Sequence, residues 1–129
     1  MTKMEVAHLA MLTEKQTTVD FKLCPRFEKT FTMLGKKWNG LIIDVLLENG
    51  TLRFKDLTKM VPKCSDRVLV ERLKELEADG IVERMTHEDS ALIEYQLTTK
   101  GESLRNVIDE IHSWSDTWQD GVESCVDAQ

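Results

Sequence analysis

From Cys64 to Val82 the chain runs CSDRVLVERLKELEADGIV, and its apolar positions repeat with the period of a helix. Leu69, Leu73 and Leu76 recur at i, i+4 and i+7 and so share one stripe, while Arg67, Val70, Glu71 and Lys74 fall on the opposite side. Ser65 stands where an N-cap oxygen is wanted, and Gly80 follows the last turn as a C-cap. Just upstream, Arg53 to Met60 form a second short helix, ended by Val61-Pro62. Two short helices joined by a tight turn, the second with a polar outer face, predict a helix-turn-helix.

The flanking pattern extends this unit. A helix is expected from Cys24-Pro25, with Pro25 at its first position and Phe27, Phe31 and Leu34 as its apolar stripe. Gly35 interrupts that stripe. Trp38, Leu41, Ile42, Val45 and Leu46 then make a strongly apolar helix that Asn49-Gly50 ends. After Gly80 the period changes. Ile81, Val82 and Met85, then Leu92 to Leu97, are β-prone, and Ile93, Tyr95 and Leu97 alternate with polar neighbours. With the polar tip THEDSA between them, these runs predict a β-hairpin, placed where a wing would be. Thr98 or Thr99 caps a final long helix, along which Leu104, Val107, Ile108, Ile111, Trp114 and Trp118 form a wide apolar face.

The expected fold is therefore mainly α with a small β-hairpin wing, an α+β winged helix-turn-helix with additional N- and C-terminal dimerisation helices. Residues 1–20 form an N-terminal extension, with Met4, His8, Met11 and Leu12 as a weak helix face that is either disordered or packed on a partner. Residues 21–120 form the DNA-binding domain with its terminal helices, and residues 121–129 a tail. The end helices carry more apolar surface than so small a domain can bury, which predicts a homodimer with Phe27, Ile111, Trp114 and Trp118 at the seam.

Composition narrows the function. The 129 residues suit one compact domain. No apolar run approaches the ~20 residues needed to cross a bilayer. No signal-peptide stretch is present either, so a cytoplasmic protein without membrane association is expected. Three scattered cysteines, Cys24, Cys64 and Cys125, argue against a disulfide framework, and no Cys/His spacing suggests a metal or other cofactor. The net charge of −6 is unfavourable for a nucleic-acid binder as a sum, but not as a distribution. Lys22, Arg26, Lys29, Lys36 and Lys37, then Arg53, Lys55, Lys59, Lys63, Arg67, Arg72 and Lys74, make the middle basic. From Gly101 onward, Arg105 stands among Glu102, Asp109, Glu110, Asp116, Asp120, Glu123 and Asp127. A polyanion would be drawn to the first region and repelled by the second.

This sequence resembles the HxlR-type winged helix-turn-helix transcription regulators over roughly Leu23 to Trp118. The resemblance is carried by Cys24-Pro25, by Gly35 with Lys37-Trp38, by Arg53, Phe54 and Leu57, and by the VLxxRLxxLxxDGIV spacing of the expected recognition helix. The run EYQLTTKGESL, from Glu94 to Leu104, resembles the family's passage from wing to helix. It implies a small bacterial dimer that binds operator DNA, usually as a repressor, and several relatives sense oxidants, quinones or aldehydes through the cysteine before the proline. Two positions depart from the pattern. The wing tip HEDSALIEY lacks the proline and arginine common there, and Cys64 takes a usually apolar position, as a small core residue would.

Residue chemistry assigns roles within that frame. Arg67 can donate two hydrogen bonds to a guanine, Glu71 can accept from a cytosine amino group, and Ser65 or Lys74 can hold phosphates, with Val70 on the same face. Arg53 and Lys55 at the start of the preceding helix suit backbone contact, as do Lys36 and Lys37. Double-stranded operator DNA, as an inverted repeat, is the expected partner. Cys24 falls at a helix N-cap near Lys22 and Arg26, where N–H groups and cations stabilise a thiolate; Cys125 of the other subunit is a candidate resolving thiol. His8, His87 and His112 are far apart in sequence, and no catalytic constellation is apparent, so no enzymatic activity is expected. The alternatives are a thiol-dependent redox enzyme using Cys24, and a winged-helix interaction module that does not touch DNA.

Overall fold

The computed structural model describes residues 21–125. The Met4, His8, Met11 and Leu12 face and residues 126–129 lie outside the described residues. The chain divides into two compact units, Met1–Thr32 and Met33–Gln129.

Helix α1 spans Pro25–Gly35. In the first unit, Phe27 and Phe31 stack on its surface with ring centroids 5.6 Å apart, and both are exposed. In the second unit, α2 (Asn39–Asn49) leads into β1 (Leu52–Arg53), α3 (Phe54–Met60) and α4 (Asp66–Ala78). The hairpin β2 (Val82–His87) and β3 (Ser90–Leu97) follows, then a single helical turn α5 (Thr99–Glu102) and α6 (Arg105–Trp118). The sheet is antiparallel in the order β1-β3-β2, with Leu52 opposite Tyr95 and Val82 opposite Leu97. Helix-turn-helix, hairpin and flanking helices in this order make a winged helix.

The core of the second unit gathers the inward faces of α2, α3, α4, the hairpin and α6. Ile42, Ile43, Leu46 and Leu47 of α2 pack with Leu57, with Leu69, Leu73 and Leu76 of α4, and with Ile81, Val82, Tyr95, Leu97 and Ile108. Burying each large aliphatic side chain contributes about 2 kcal/mol, far more than the helix propensity of any one residue, so the leucine stripe fixes which side of α4 faces inward.

The structure departs from the sequence pattern at several positions. Trp38, expected within the apolar helix, stands just ahead of α2 with φ +82°. Leu41, expected in the apolar stripe of α2, is exposed, and Ile43 and Leu47 take the inward positions instead. Arg53 is not inside a helix: it pairs with Glu94 in a two-residue strand and immediately precedes α3. Such a strand is too short to show a period of two, and only its partner in β3 defines it. The hairpin turn is Glu88-Asp89 alone, because backbone pairing carries the strands through the polar tip to His87 opposite Ser90. The last helix is broken at Ser103-Leu104, so Thr98 caps only the turn α5.

That break has a function in the packing. Gly101 lies so close to Ile81 that an added Cβ would collide with its carbonyl oxygen. The Thr98 hydroxyl donates to the Gly80 carbonyl at 2.5 Å, and Lys100 Nζ donates to the Asp79 carbonyl at 2.7 Å. The passage from wing to α6 is thus fastened to the C-terminal end of α4, where carbonyls lack helical partners.

Candidate nucleic-acid interface

Helix α4 starts as its sequence requires. Ser65 is extended (φ −66°, ψ 154°) and its Oγ accepts a hydrogen bond from the Val68 N–H at 3.2 Å. Gly80, just past the end, has φ +75°, a conformation glycine adopts without steric cost. With Leu69, Leu73 and Leu76 turned inward, Ser65, Arg67, Val70, Glu71 and Lys74 are all exposed on the outer side. Arg67 is the most open of these, with 89% of its side chain accessible; its Nε lies 3.8 Å from Glu71 Oε1. An exposed i,i+4 pair of this kind contributes only a few tenths of a kcal/mol, so little opposes its opening to a base edge.

The capping bond gives a direct expectation. Ser65→Ala should lower stability by about 1 kcal/mol, the usual cost of removing an N-cap oxygen, measurable by urea unfolding. A variant as stable as the parent would show that the hydroxyl does not secure the helix start.

The cations expected on the phosphates fall into two groups. Arg53 and Lys55 are exposed at the N-terminal end of α3, where the Arg53 N–H donates to Asp56 Oδ2 at 3.3 Å. Lys36 is already engaged: its ammonium pairs with Glu75 on the recognition helix. Arg72 joins them, with Nη1 2.8 Å from Glu75 Oε1 and Nε donating to the Lys37 carbonyl at 3.0 Å. The hydrogen bond from Lys36 holds the Glu75 carboxyl below its usual range, and Arg72 adds to this. Lys36, Arg72 and Glu75 therefore brace α4 against the turn before α2. A phosphate would have to compete with Glu75 for Lys36. Lys37 extends over the Trp38 ring, 5.0 Å from its centroid. Trp38 itself has φ +82°, a left-handed conformation costing a residue with a Cβ about 1–2 kcal/mol. Its indole packs against the core.

The bracing role of Arg72 and a further exposed cation, Arg84, were not found from sequence. Arg84 lies on β2 and lines a groove of about 530 Å3 between recognition helix and wing, with Phe54, Val70, Lys74, Glu77 and Tyr95. The charge of Arg84 was legible, but the side of the strand it takes was not.

The three cysteines occupy different environments. Cys24 is exposed, and its Sγ accepts the Phe27 N–H at 3.5 Å, the expected position at the start of α1. Cys64 is buried in the core, and burial pushes its thiol up, which leaves it protonated at neutral pH. Cys125 sits beside His112, with Sγ 3.1 Å from Nδ1. On α6, Ile108 faces the core, whereas Val107, Ile111, Trp114 and Trp118 form an exposed stripe at i, i+4, i+7 and i+11. No helix among the described residues is long and apolar enough to cross a membrane.

Comparison with known proteins agrees with this geometry. The pattern of the HxlR-like helix-turn-helix proteins matches residues 33–123. The HTH-type transcriptional regulator YodB of Bacillus subtilis (strain 168) is 46% identical over 95 residues, covering 73% of this chain and 84% of its own. The reduced form of YodB superposes with a TM-score of 0.69 at 44% identity, covering 79% of this chain and all (100%) of that one. The redox regulator HypR in its reduced form gives 0.68 at 32% identity, over 74% of this chain and 94% of that one. Helix α2, the recognition helix, the wing and α6 all fall within the matched residues, and the chain belongs to the HxlR-like helix-turn-helix family of DNA-binding transcription regulators.

Proposed function

We propose that this protein is a dimeric, sequence-specific repressor of the cytoplasm that binds an inverted-repeat operator and is released from it when Cys24 reacts with an oxidant or electrophile. The observation that carries the DNA reading is the outer face of α4. Arg67, Val70, Glu71 and Lys74 are exposed on a helix whose other side is locked into the core by three leucines. A helix of this width fits the major groove, and its N-terminal residues meet base edges there. Ser65, Lys74, Arg53, Lys55 and Lys37 supply phosphate contacts around it, and Lys36 contributes only once it leaves Glu75.

Two identical heads give two-fold recognition if the exposed stripes of α6, with Phe27 of α1, form the seam. The sensing reading rests on the exposure of Cys24 and on the N–H that its sulfur accepts. The relative YodB has been solved reduced, quinone-bound and diamide-treated, which supports thiol chemistry as the input. A thiol reaction at Cys24, alone or followed by a disulfide to the partner subunit's Cys125, regulates only if the reacted dimer has lower affinity for DNA. Altered half-site spacing would achieve that, because the duplex fixes the spacing.

The test is release from the operator. Treatment with a quinone or hypochlorite should free the wild-type protein from operator DNA in a mobility-shift assay. Cys24→Ser should stay bound under the same treatment, and Cys64→Ser should respond as wild type. Equal release of Cys24→Ser and wild type would leave Cys24 as a helix cap only.

A further inference from the structure

Asp44 on α2, His112 on α6 and Cys125 in the segment after α6 are brought together across 81 positions of sequence. His112 Nε2 lies 2.9 Å from Asp44 Oδ1, and His112 Nδ1 lies 3.1 Å from Cys125 Sγ. The imidazole stands between the other two groups and contacts each through a different nitrogen. That is the arrangement of a proton relay, not of three ligands converging on one metal ion. The segment carrying the thiol is itself held, since the Cys125 N–H donates to Asp116 Oδ1 at 2.7 Å and Ser124 Oγ donates to the same oxygen at 2.9 Å. A cleft of about 500 Å3 opens beside the sulfur, lined by Ser115, Asp116, Gln119, Val122 and Cys125 among others. It is large enough for a small planar molecule.

We propose that Cys125, with His112 as its base and Asp44 as the positioning residue for that base, is a second thiol-modification site that takes α,β-unsaturated carbonyl electrophiles independently of Cys24. Asp44 accepts the Nε2–H and so fixes the tautomer in which Nδ1 carries a lone pair towards the sulfur. In the addition, the S–H proton passes to Nδ1 as the S–C bond forms at the β-carbon. The C=C electron pair becomes the bond between the α-carbon and the carbonyl carbon as the C=O pair goes to oxygen. The α-carbon of this enolate then takes the proton from Nδ1, which restores the C=O. The product is a thioether, His112 returns to its neutral form, and no oxidant or reductant is consumed.

The electrostatics say how the thiol must react. Burial and the Asp116 carboxylate push the Cys125 thiol up, so the resting group is S–H, not a standing thiolate. Its reactivity then depends on transfer of the proton during attack, which is the service a hydrogen-bonded imidazole provides. The Asp44 hydrogen bond raises the His112 pKa from its ordinary value of 6.5 against some burial, and Asp109 on the same helix and Glu48 on α2 act in the same direction. Nδ1 is therefore free to accept only as pH rises through the elevated His112 pKa. The reaction should switch on with the titration of His112 and not with that of the thiol itself.

The experiment is site-resolved labelling of the full-length protein with N-ethylmaleimide, with the rate at each cysteine read by peptide mass spectrometry. In the native protein at pH 8, Cys125 should label faster than in the same chain unfolded in urea, where no base is held beside it. His112→Gln should reduce the native Cys125 rate at least tenfold, the lower end of what a positioned base contributes being about a hundredfold. The rate at Cys24 should be unchanged. Asp44→Asn should slow Cys125 and move the midpoint of its pH–rate profile to lower pH, because the interaction that raises His112 is gone. A native rate at or below the unfolded rate overturns the proposal whether or not the variants fold. So does a His112→Gln rate equal to the parent's, or a Cys125 profile that rises only with the thiol's own titration. An Asp44→Asn midpoint that does not move would remove Asp44 from the site. Because the deciding readouts are rates of labelling and not release from DNA, failure of Cys24 sensing leaves the result untouched.

Discussion

Replacing Trp114 with Ala should convert the protein from a dimer into a monomer at micromolar concentration. Trp114 is 58% exposed in the single chain and Trp118 66%, and with Val107 and Ile111 they line one side of α6 while Ile108 anchors the other. Four large apolar side chains in one stripe are unusual on a surface that stays in water. A two-fold seam would cover each copy with its twin. Aromatic anchors at the centre of such seams contribute about 2 kcal/mol or more on truncation. A two-fold axis places the substitution on both sides, so about 4 kcal/mol is expected, roughly a thousandfold in dimer Kd. Light scattering or sedimentation should therefore show a dimer for the wild type and a monomer for the variant. Circular dichroism should stay the same, because the side chain adds little to its own chain's core. A variant that remains dimeric would place the seam elsewhere, and a wild type that is monomeric would remove two-fold operator binding with it.

The second large effect is expected at Arg67. A bidentate contact to one base is worth about 1–3 kcal/mol of discrimination. An inverted repeat presents it twice, so Arg67→Ala should weaken operator binding by about 2–6 kcal/mol and relax one base preference in each half-site. Loss of the 3.8 Å contact to Glu71 should cost almost nothing in stability, because both groups are in water. Lys55→Ala is the contrasting case. A phosphate contact carries no sequence information, so its loss should weaken operator and random duplex alike and flatten the salt dependence by about two counterions per dimer. Fluorescence anisotropy at several salt concentrations separates the two. If Arg67→Ala lost affinity equally for operator and random DNA, Arg67 would be a phosphate contact and base reading would lie elsewhere on α4.

Local patterns were legible without coordinates. The i, i+4, i+7 leucines fixed the inward face of α4, and the face left over is the exposed one carrying Arg67, Val70, Glu71 and Lys74. Ser65 caps where its side chain and position required, Gly80 takes the left-handed φ its place after the helix called for, and alternation marked the hairpin. Each of these depends on residues within a few positions of one another, and helix and strand periods translate such spacing directly into a face.

Tertiary structure decided what depends on distant partners. Leu52 and Arg53 are a strand only because Tyr95 and Glu94 lie opposite. Lys36 carried the same charge as Lys37 in the sequence, yet Glu75 binds one while the other reaches over Trp38. Along α6, periodicity gave a single wide apolar face, and only the packing of Ile108 against the core separated the inward residues from the exposed stripe. His112 was one of three scattered histidines until folding set Asp44, 68 positions away, against Nε2 and Cys125 against Nδ1. Sequence spacing sets which residues can share a face. Which face meets which depends on chain closure over tens of residues, and there the packing of the whole core selects the partners.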